Sequence, residues 1–262
     1  MVQIPRVAHF YWAGGPLPWL RLQALESFHR LHPDWEVVLG SPDEQDLPVW
    51  ARLERDSVTD PKLPPAARSD VWRYWALAER GGLYADTDVV FLRSVEGRLF
   101  GETGVDAWIT TDMGTGVPCF GAKRVRPAGA RRACLEYNFR ISIGLLGAPK
   151  GSAFFQRALQ LSSRLGPSGD YQSCGTSLLA ACWPEVAEGQ VVANLPSAAL
   201  YRSGSSAKDV KELWGRGPQV IGPREVALHW YGGSPESLPF VKASHLEDLP
   251  DCLVRRAILG LS

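Results

Sequence analysis

RVAHFYWAGG, residues 6–15, is the stretch from which the fold can be read. An apolar, aromatic run that ends in a glycine pair reads as a strand closed by a turn. Working outward, residues from about Leu20 to His32 read as a helix and DWEVVLG (34–40) as a second strand. Strand, helix and strand in that order form a β-α-β unit, which implies a parallel sheet with helix-covered faces.

The rest of the chain extends that frame. An acidic, irregular linker follows, SPDEQDLP (41–48). A stronger helix begins near Pro64 and Pro65, since proline fits the first helical turn, and stops at Gly81 and Gly82. Its apolar stripe is Val71, Tyr74, Trp75 and Ala78, with Asp70 and Arg73 together at the edge of the stripe. Residues 101–132 are rich in glycine and proline and carry Lys123, Arg124, Arg126, Arg131 and Arg132, so they read as a long surface loop. Downstream, FRISIGLLGAPKG (139–151) reads as a strand, SAFFQRALQLSSRL (152–165) as a helix, GTSLLAACW (175–183) as a short helix and QVVANLP (190–196) as a strand. After these, VALHWYGGS (226–234) is apolar with His229 set inside it. One mixed α/β domain accounts for this order.

Composition removes several function classes. A chain of 262 residues, 45% hydrophobic and 21% charged, can bury a large core, which argues against disorder. The 28 Lys and Arg balance the 28 Asp and Glu, so no global field recruits nucleic acid or an anionic membrane. MVQIPRVAHFYWAGG lacks the apolar core of a signal peptide, and no run approaches transmembrane length. The expected location is cytoplasmic, at most peripheral to a membrane. Five cysteines, Cys119, Cys134, Cys174, Cys182 and Cys252, are odd in number and form no CxxC pair, so free thiols are expected.

GGLYADTDVVF (81–91) interrupts an apolar segment with Asp86 and Asp88. Buried carboxylates need a compensating partner. In a regular strand, residues two apart share a face, so both would point one way and offer hard oxygen ligands to a single cation. Mg²⁺ or Mn²⁺ suits such a site, because substrate phosphates can complete the coordination shell. The competing reading is a turn in which both aspartates cap backbone groups and face water.

Four blocks in order carry a resemblance: IPRVAHFYWAGG (4–15), ARSDVWRYWALAERGGLYADTDVVF (67–91), GTSLL (175–179) and ALHWYGGS (227–234). Together they resemble the DXD-containing sugar-transferase family, which includes fungal α-mannosyltransferases, bacterial polysaccharide glycosyltransferases and, more distantly, the catalytic domains of large glucosylating toxins. The resemblance implies an α/β fold of GT-A type: a Rossmann-like, mixed, mostly parallel sheet flanked by helices in a single domain, 1–262. Within it are expected a nucleotide-binding half of about 1–95, an acceptor and metal-completing half of about 96–240, and a C-terminal helix of about 246–262.

The implied activity is a metal-dependent, retaining hexosyl- or N-acetylhexosaminyltransferase. It would move a sugar from a nucleotide-sugar, a UDP-sugar by preference, to a hydroxyl acceptor, by default a glycan or lipid-linked precursor. The implied cofactor is Mn²⁺ or Mg²⁺. Residue by residue, the resemblance puts Asp88 on the cation and Asp86 on the donor ribose or sugar, with help to the metal. Trp12 stacks on the uracil, and Ser69, Asp70 and Arg73 surround the donor sugar and phosphate. Tyr84 is half core and half site wall, His229 is a further metal ligand, and Ser234 contacts the diphosphate. Asp70, Arg73 and Asp86 are the implied catalytic set.

Two departures from the family pattern bear on specificity. Many members carry asparagine near Ser142 and Ile143, and proline usually follows the glycine where Thr176 follows Gly175. Sugar and acceptor identity are therefore not inherited. The segment from Lys123 to Arg132 leaves room for a polyanionic acceptor, including a modified nucleic acid.

Two other classes fit part of the pattern. YADTDVV matches the motif of haloacid-dehalogenase-like phosphatases, with Asp86 as nucleophile and Asp88 as general acid. Those enzymes need a long apolar strand before the motif, where a helix and Gly81-Gly82 stand here. A catalytically silent sugar-binding module could hold Ca²⁺ on the two aspartates, but it would have no use for Trp12, Asp70 and Arg73.

Overall fold

The computed structural model describes residues 4–97, 104–112, 140–165, 173–181, 189–195, 200, 206–216 and 220–261. The basic segment from Lys123 to Arg132 lies outside the described residues, as do Cys119, Cys134 and Cys182. Cys174 and Cys252 are buried free thiols.

The opening β-α-β unit is present as β1 (Val7–Tyr11), α1 (Trp19–Leu31) and β2 (Glu36–Ser41). There follow β3 (Ala51–Arg55), α2 (Pro65–Glu79), β4 (Gly82–Ala85), β5 (Val89–Phe91), β6 (Ala107–Asp112) and β7 (Arg140–Ala148). The remaining elements are α3 (Ala153–Leu165), α4 (Thr176–Ala181), β8 (Val192–Leu195), α5 (Ala207–Trp214), β9 (Ala227–His229), α6 (Leu238–Val241) and α7 (Leu253–Leu259). Among the described residues seven strands form one sheet in the order β3-β2-β1-β4-β7-β6-β8, while β5 pairs with β9. The large sheet is mixed and mostly parallel: β7 alone runs against its neighbours, β4 and β6.

Strand alternation sorts the core into two faces. Phe10, Leu39, Leu83, Ala85 and Leu145 pack with Ala24, Leu25 and Phe28 of α1. Tyr11, Tyr84 and Leu146 face the other way, against Trp72 and Leu77 of α2 and Phe154 and Phe155 of α3. A third cluster lies where Leu20 of α1 meets Val90, Leu228 and Trp230, with Trp214 of α5 and Leu253 and Val254 of α7. No helix among the described residues is long and apolar enough to cross a membrane.

Three expectations need correction, and one strand was not anticipated. Residues 107–112, read as part of a surface loop, form β6, whose Ala107, Trp108 and Ile109 are buried. β3 was not visible in ARLER because its charges suit an exposed sheet edge, where Arg52 pairs with Glu36 at 2.7 Å. α2 is buried well beyond one stripe: Trp72 and Arg73 are inside as well as Val71 and Tyr74, and Asp70 is buried with them. The single C-terminal helix is instead a 3-10 turn at Leu246–Asp248 followed by the seven-residue α7.

The Gly81-Gly82 stop is a tight crossing as well as a helix end. Both residues have positive φ, 70° and 95°, and a Cβ on either would come within 2.4 Å of backbone, at Lys150 and Val7 respectively. Beside them His9, fully buried, places Nε2 3.0 Å from the Gly81 carbonyl. Burial lowers its pKa to about 4, against the opposing pull of that hydrogen bond.

The unfolded chain therefore takes up a histidine proton near pH 6.5, which the native state resists until about 4. Stability contributed by neutral His9 should fall as pH drops through that window, by on the order of 3 kcal/mol, and level off below it. Urea denaturation of wild type and His9→Gln between pH 7 and 4 isolates the effect. The stability difference between the two should change across the window, and a constant difference would show that His9 is not held neutral.

Candidate active site

The chain leaves the sheet at Ala85, on the floor of an open cleft lined by Trp12, Arg21, Asp70, Arg73, Asp86, Asp88, Ile143 and Gly233. Asp86 continues on the side of Tyr84, whose hydroxyl donates to Asp86 Oδ1 at 3.1 Å. There the strand breaks, with Val89 N bonded to the Asp86 carbonyl at 3.1 Å, and β5 starts in the other sheet. The two aspartates consequently do not share one strand face. Asp86 looks toward α2, and Asp88 toward α1 and β9.

On the first side, Arg73 is the organising group. Its Nη1 donates to the Ile143 carbonyl at 2.6 Å, and its Nη2 lies 3.0 Å from Asp70 Oδ1 and 3.3 Å from Asp86 Oδ1. Its Nε donates to the Ser69 carbonyl at 3.3 Å, Nη2 also reaches Ser69 Oγ at 3.0 Å, and the guanidinium covers the Tyr84 ring at 4.6 Å. Asp70 and Arg73 are each only 4% exposed. Burial raises the Asp70 pKa to about 7; Arg73 opposes the shift and Asp86 adds to it. Burial disfavours the Arg73 charge, but Asp86, Tyr84 and Asp70 more than restore it, so Arg73 stays cationic. Tyr84 is fully buried and backs the cleft from behind, bonding Ser69 Oγ at 2.9 Å.

On the second side, Asp88 Oδ1 lies 2.9 Å from His229 Nε2, and Oδ2 accepts from Gly232 N at 2.7 Å. Burial opposes the charge, but His229, Arg21 and the Gly232 N–H hold the Asp88 carboxyl well below the usual carboxylate range. Asp88, with a smaller contribution from Asp86, raises His229 against its own burial, and Arg21 opposes the rise. The His229 ring stacks on Tyr231 at 4.3 Å, and Tyr231 is the one non-glycine at positive φ among the described residues, 52°. A bulky residue in that region costs about 1–3 kcal/mol and has to be held there by its surroundings.

These residues fit a divalent cation. One ligand atom from each of Asp86, Asp88 and His229 lies within 4.8 Å of the others. Asp88 Oδ1 is buried and takes no aligned hydrogen bond, although His229 Nε2 is 2.9 Å away. Adjacent ligands at about 2.1 Å on an octahedral ion stand roughly 3 Å apart, close to that separation.

At the other end of the cleft, Trp12 closes β1 with its Nε1 on the Gly15 carbonyl at 3.1 Å. The linker read as irregular braces this turn: Asp43 Oδ2 accepts from Gly15 N at 3.0 Å and Gln45 Oε1 from Leu17 N at 2.8 Å. Gly175, which precedes the departure at Thr176, has no room for a side chain, since a Cβ would lie 2.5 Å from Ile143 Cδ1 and 2.7 Å from Asp70 Oδ2. The Ser234 hydroxyl donates to Ser237 Oγ at 3.2 Å, and its neighbour Gly233 lines the cleft.

Arg21 went unnoticed in the sequence. It projects from the first turn of α1, packs over Trp12 at 4.6 Å and Trp230 at 5.3 Å, and donates to Thr87 Oγ1 at 3.0 Å. A lone arginine in an amphipathic helix carries no signal that it faces a cleft.

Two aspartates and a histidine thus gather where a strand leaves an open α/β sheet, and part of the chain is similar to known proteins. Residues 19–112 match the family described as the glycosyltransferase sugar-binding region containing a DXD motif. Inositol phosphoceramide mannosyltransferase 3 of Schizosaccharomyces pombe is 30% identical over 120 residues, 44% of this chain and 31% of that protein. The match thus spans about a third of that relative's length. Among solved structures, PaToxG glycosyltransferase overlaps with a TM-score of 0.45 at 14% identity, covering 70% of each chain. The galactosyltransferase LgtC overlaps with a TM-score of 0.46 at 13% identity, covering 86% of this chain and 87% of that one.

Proposed function

We propose that this protein is a metal-dependent glycosyltransferase that moves a sugar with retention from a UDP-sugar to a hydroxyl acceptor, a glycan or lipid-linked precursor by default. The observation that carries the reading is the convergence of Asp86, Asp88 and His229 in a cleft that also presents Trp12, Asp70 and Arg73. In this reading residues 1–95 form most of the donor site, and His229 and Gly233, from the later part of the chain, complete it. Asp88 and His229 would hold Mn²⁺ or Mg²⁺, with Asp86 at its edge. When bound, the cation would neutralise charge on the departing diphosphate.

The chain's own groups do the positioning. Trp12, half-buried, offers a ring to the uracil. Asp70, with a pKa near 7, can accept or donate a hydrogen bond to a sugar hydroxyl. Arg73 fixes Asp70 and Asp86 relative to each other. Asp86 Oδ1 already accepts from Tyr84 and pairs with Arg73, which suits an orienting role better than that of a covalent nucleophile. We accordingly favour a front-face route in which the leaving diphosphate takes the acceptor proton.

Titration calorimetry with UDP, GDP and ADP in Mn²⁺ tests the donor class. UDP should bind most tightly, and Trp12→Ala should weaken it by about 1–3 kcal/mol, the worth of one aromatic stack on a base. Unchanged UDP affinity in Trp12→Ala would remove Trp12 from the site, and the absence of any nucleotide binding by wild type would remove the function.

A further inference from the structure

The cleft holds two guanidinium groups, and their hydrogen-bonding states differ. Arg73 spends Nε, Nη1 and Nη2 on Ser69, Ile143, Asp70 and Asp86. It has little left to give a ligand without releasing a buried carboxylate. Among the described residues Arg21 makes one side-chain hydrogen bond, from Nη1 to Thr87 Oγ1 at 3.0 Å, and a loose 4.0 Å approach to Asp88 Oδ2. A guanidinium carries five N–H donors, so most of this capacity is unspent.

The setting of Arg21 is built. Trp12 and Trp230 pack against it at 4.6 Å and 5.3 Å, which fixes the guanidinium at little further entropic cost. A Cβ on Gly232 would stand 2.5 Å from Arg21 Nη2, so glycine at 232 is what lets the guanidinium lie against the backbone there. The side chain is 12% exposed, and it lines the cleft. The charge balance points the same way. Three carboxylates line or approach the cleft, and an incoming oxyanion would meet repulsion unless an uncommitted cation faced it.

We propose that Arg21 is the oxyanion-binding residue of this cleft and takes the nucleotide's diphosphate on its Nη groups, between the base on Trp12 and the cation on Asp88 and His229. The proposal rests on the nucleotide-sugar reading and deepens it. It transfers the phosphate contact, which the resemblance gives to Arg73, to a residue with donors to spare. It also has Arg21 brace, at 4.6 Å, the Trp12 ring that this reading offers to the base.

The test compares UDP with uridine, each titrated into wild type and Arg21→Gln, in Mn²⁺ and in EDTA. Losing a charge-assisted contact to phosphate should weaken UDP about ten- to a hundredfold, in EDTA as well as in Mn²⁺, and leave uridine within about twofold. Equal losses for UDP and uridine would mean that Arg21 only braces Trp12, and no loss for either would mean that it does not face the ligand; both outcomes overturn the proposal. Arg21→Lys guards against a folding defect, because its stem fills the same slot while a point charge replaces the fork. It should lower the preference for UDP over uridine severalfold, and an unchanged preference counts against the proposal. If wild type binds neither ligand under either condition, the nucleotide reading itself fails, which is a distinct result.

Discussion

Asp88→Asn should abolish the mutual enhancement of Mn²⁺ and UDP binding while leaving a folded protein. Linked sites typically strengthen each other by about 5- to 150-fold, and that factor should fall to one in the variant. Sugar transfer should drop by about 100- to 1000-fold or more, the scale of losing one group that stabilises transition-state charge. Asparagine keeps the shape and can still accept from the Gly232 N–H, now bonded to Oδ2 at 2.7 Å.

Considered alone, two aspartates one residue apart suggest that removing a charge relieves repulsion and raises stability. The surroundings reverse that expectation, because Asp86 is offset by Arg73, and Asp88 by His229 and Arg21. The ligand-free variant should therefore melt below wild type. Calorimetry of UDP with and without Mn²⁺ is decisive: full metal-coupled affinity in Asp88→Asn would sink the metal-site reading, and with it the main chemical support for a transferase.

The second large effect is on the fold itself. Arg73→Met removes the cation shared by Asp70 and Asp86 and leaves the Ile143 carbonyl without its 2.6 Å donor. Breaking a buried pair from one side costs about 3–5 kcal/mol. Asp70 can escape part of that cost by protonating, since burial has already raised its pKa to about 7. Arg73→Met should therefore be less destabilised at pH 5.5 than at pH 8, and Asp70→Asn in the same chain should recover part of the loss at pH 8. Urea denaturation of the three proteins measures both effects. A loss under 1 kcal/mol would mean that the pair is as dispensable as an exposed helix ion pair.

Local pattern determined much of this protein. The β-α-β opening, the helix from the proline pair to the glycine pair, and the later strands and helices are properties of side-chain period and of residues with special backbone freedom. Trp12, Asp70, Arg73, Asp86, Asp88 and His229 stand out in the sequence because the order and spacing of their blocks resemble a known pattern. Tertiary structure decided what spacing cannot express. Residues 107–112 look like loop until β7 and β8 supply the pairing that makes them a strand. A strand rule places Asp86 and Asp88 on one face, whereas the exchange of partners from β7 to β9 between them turns one toward α2 and the other toward α1. Arg21 sits in the cleft because Trp12, Thr87 and Trp230 converge on it from three separate parts of the chain. Such convergence depends on long-range packing, which leaves no periodic trace in the neighbouring sequence.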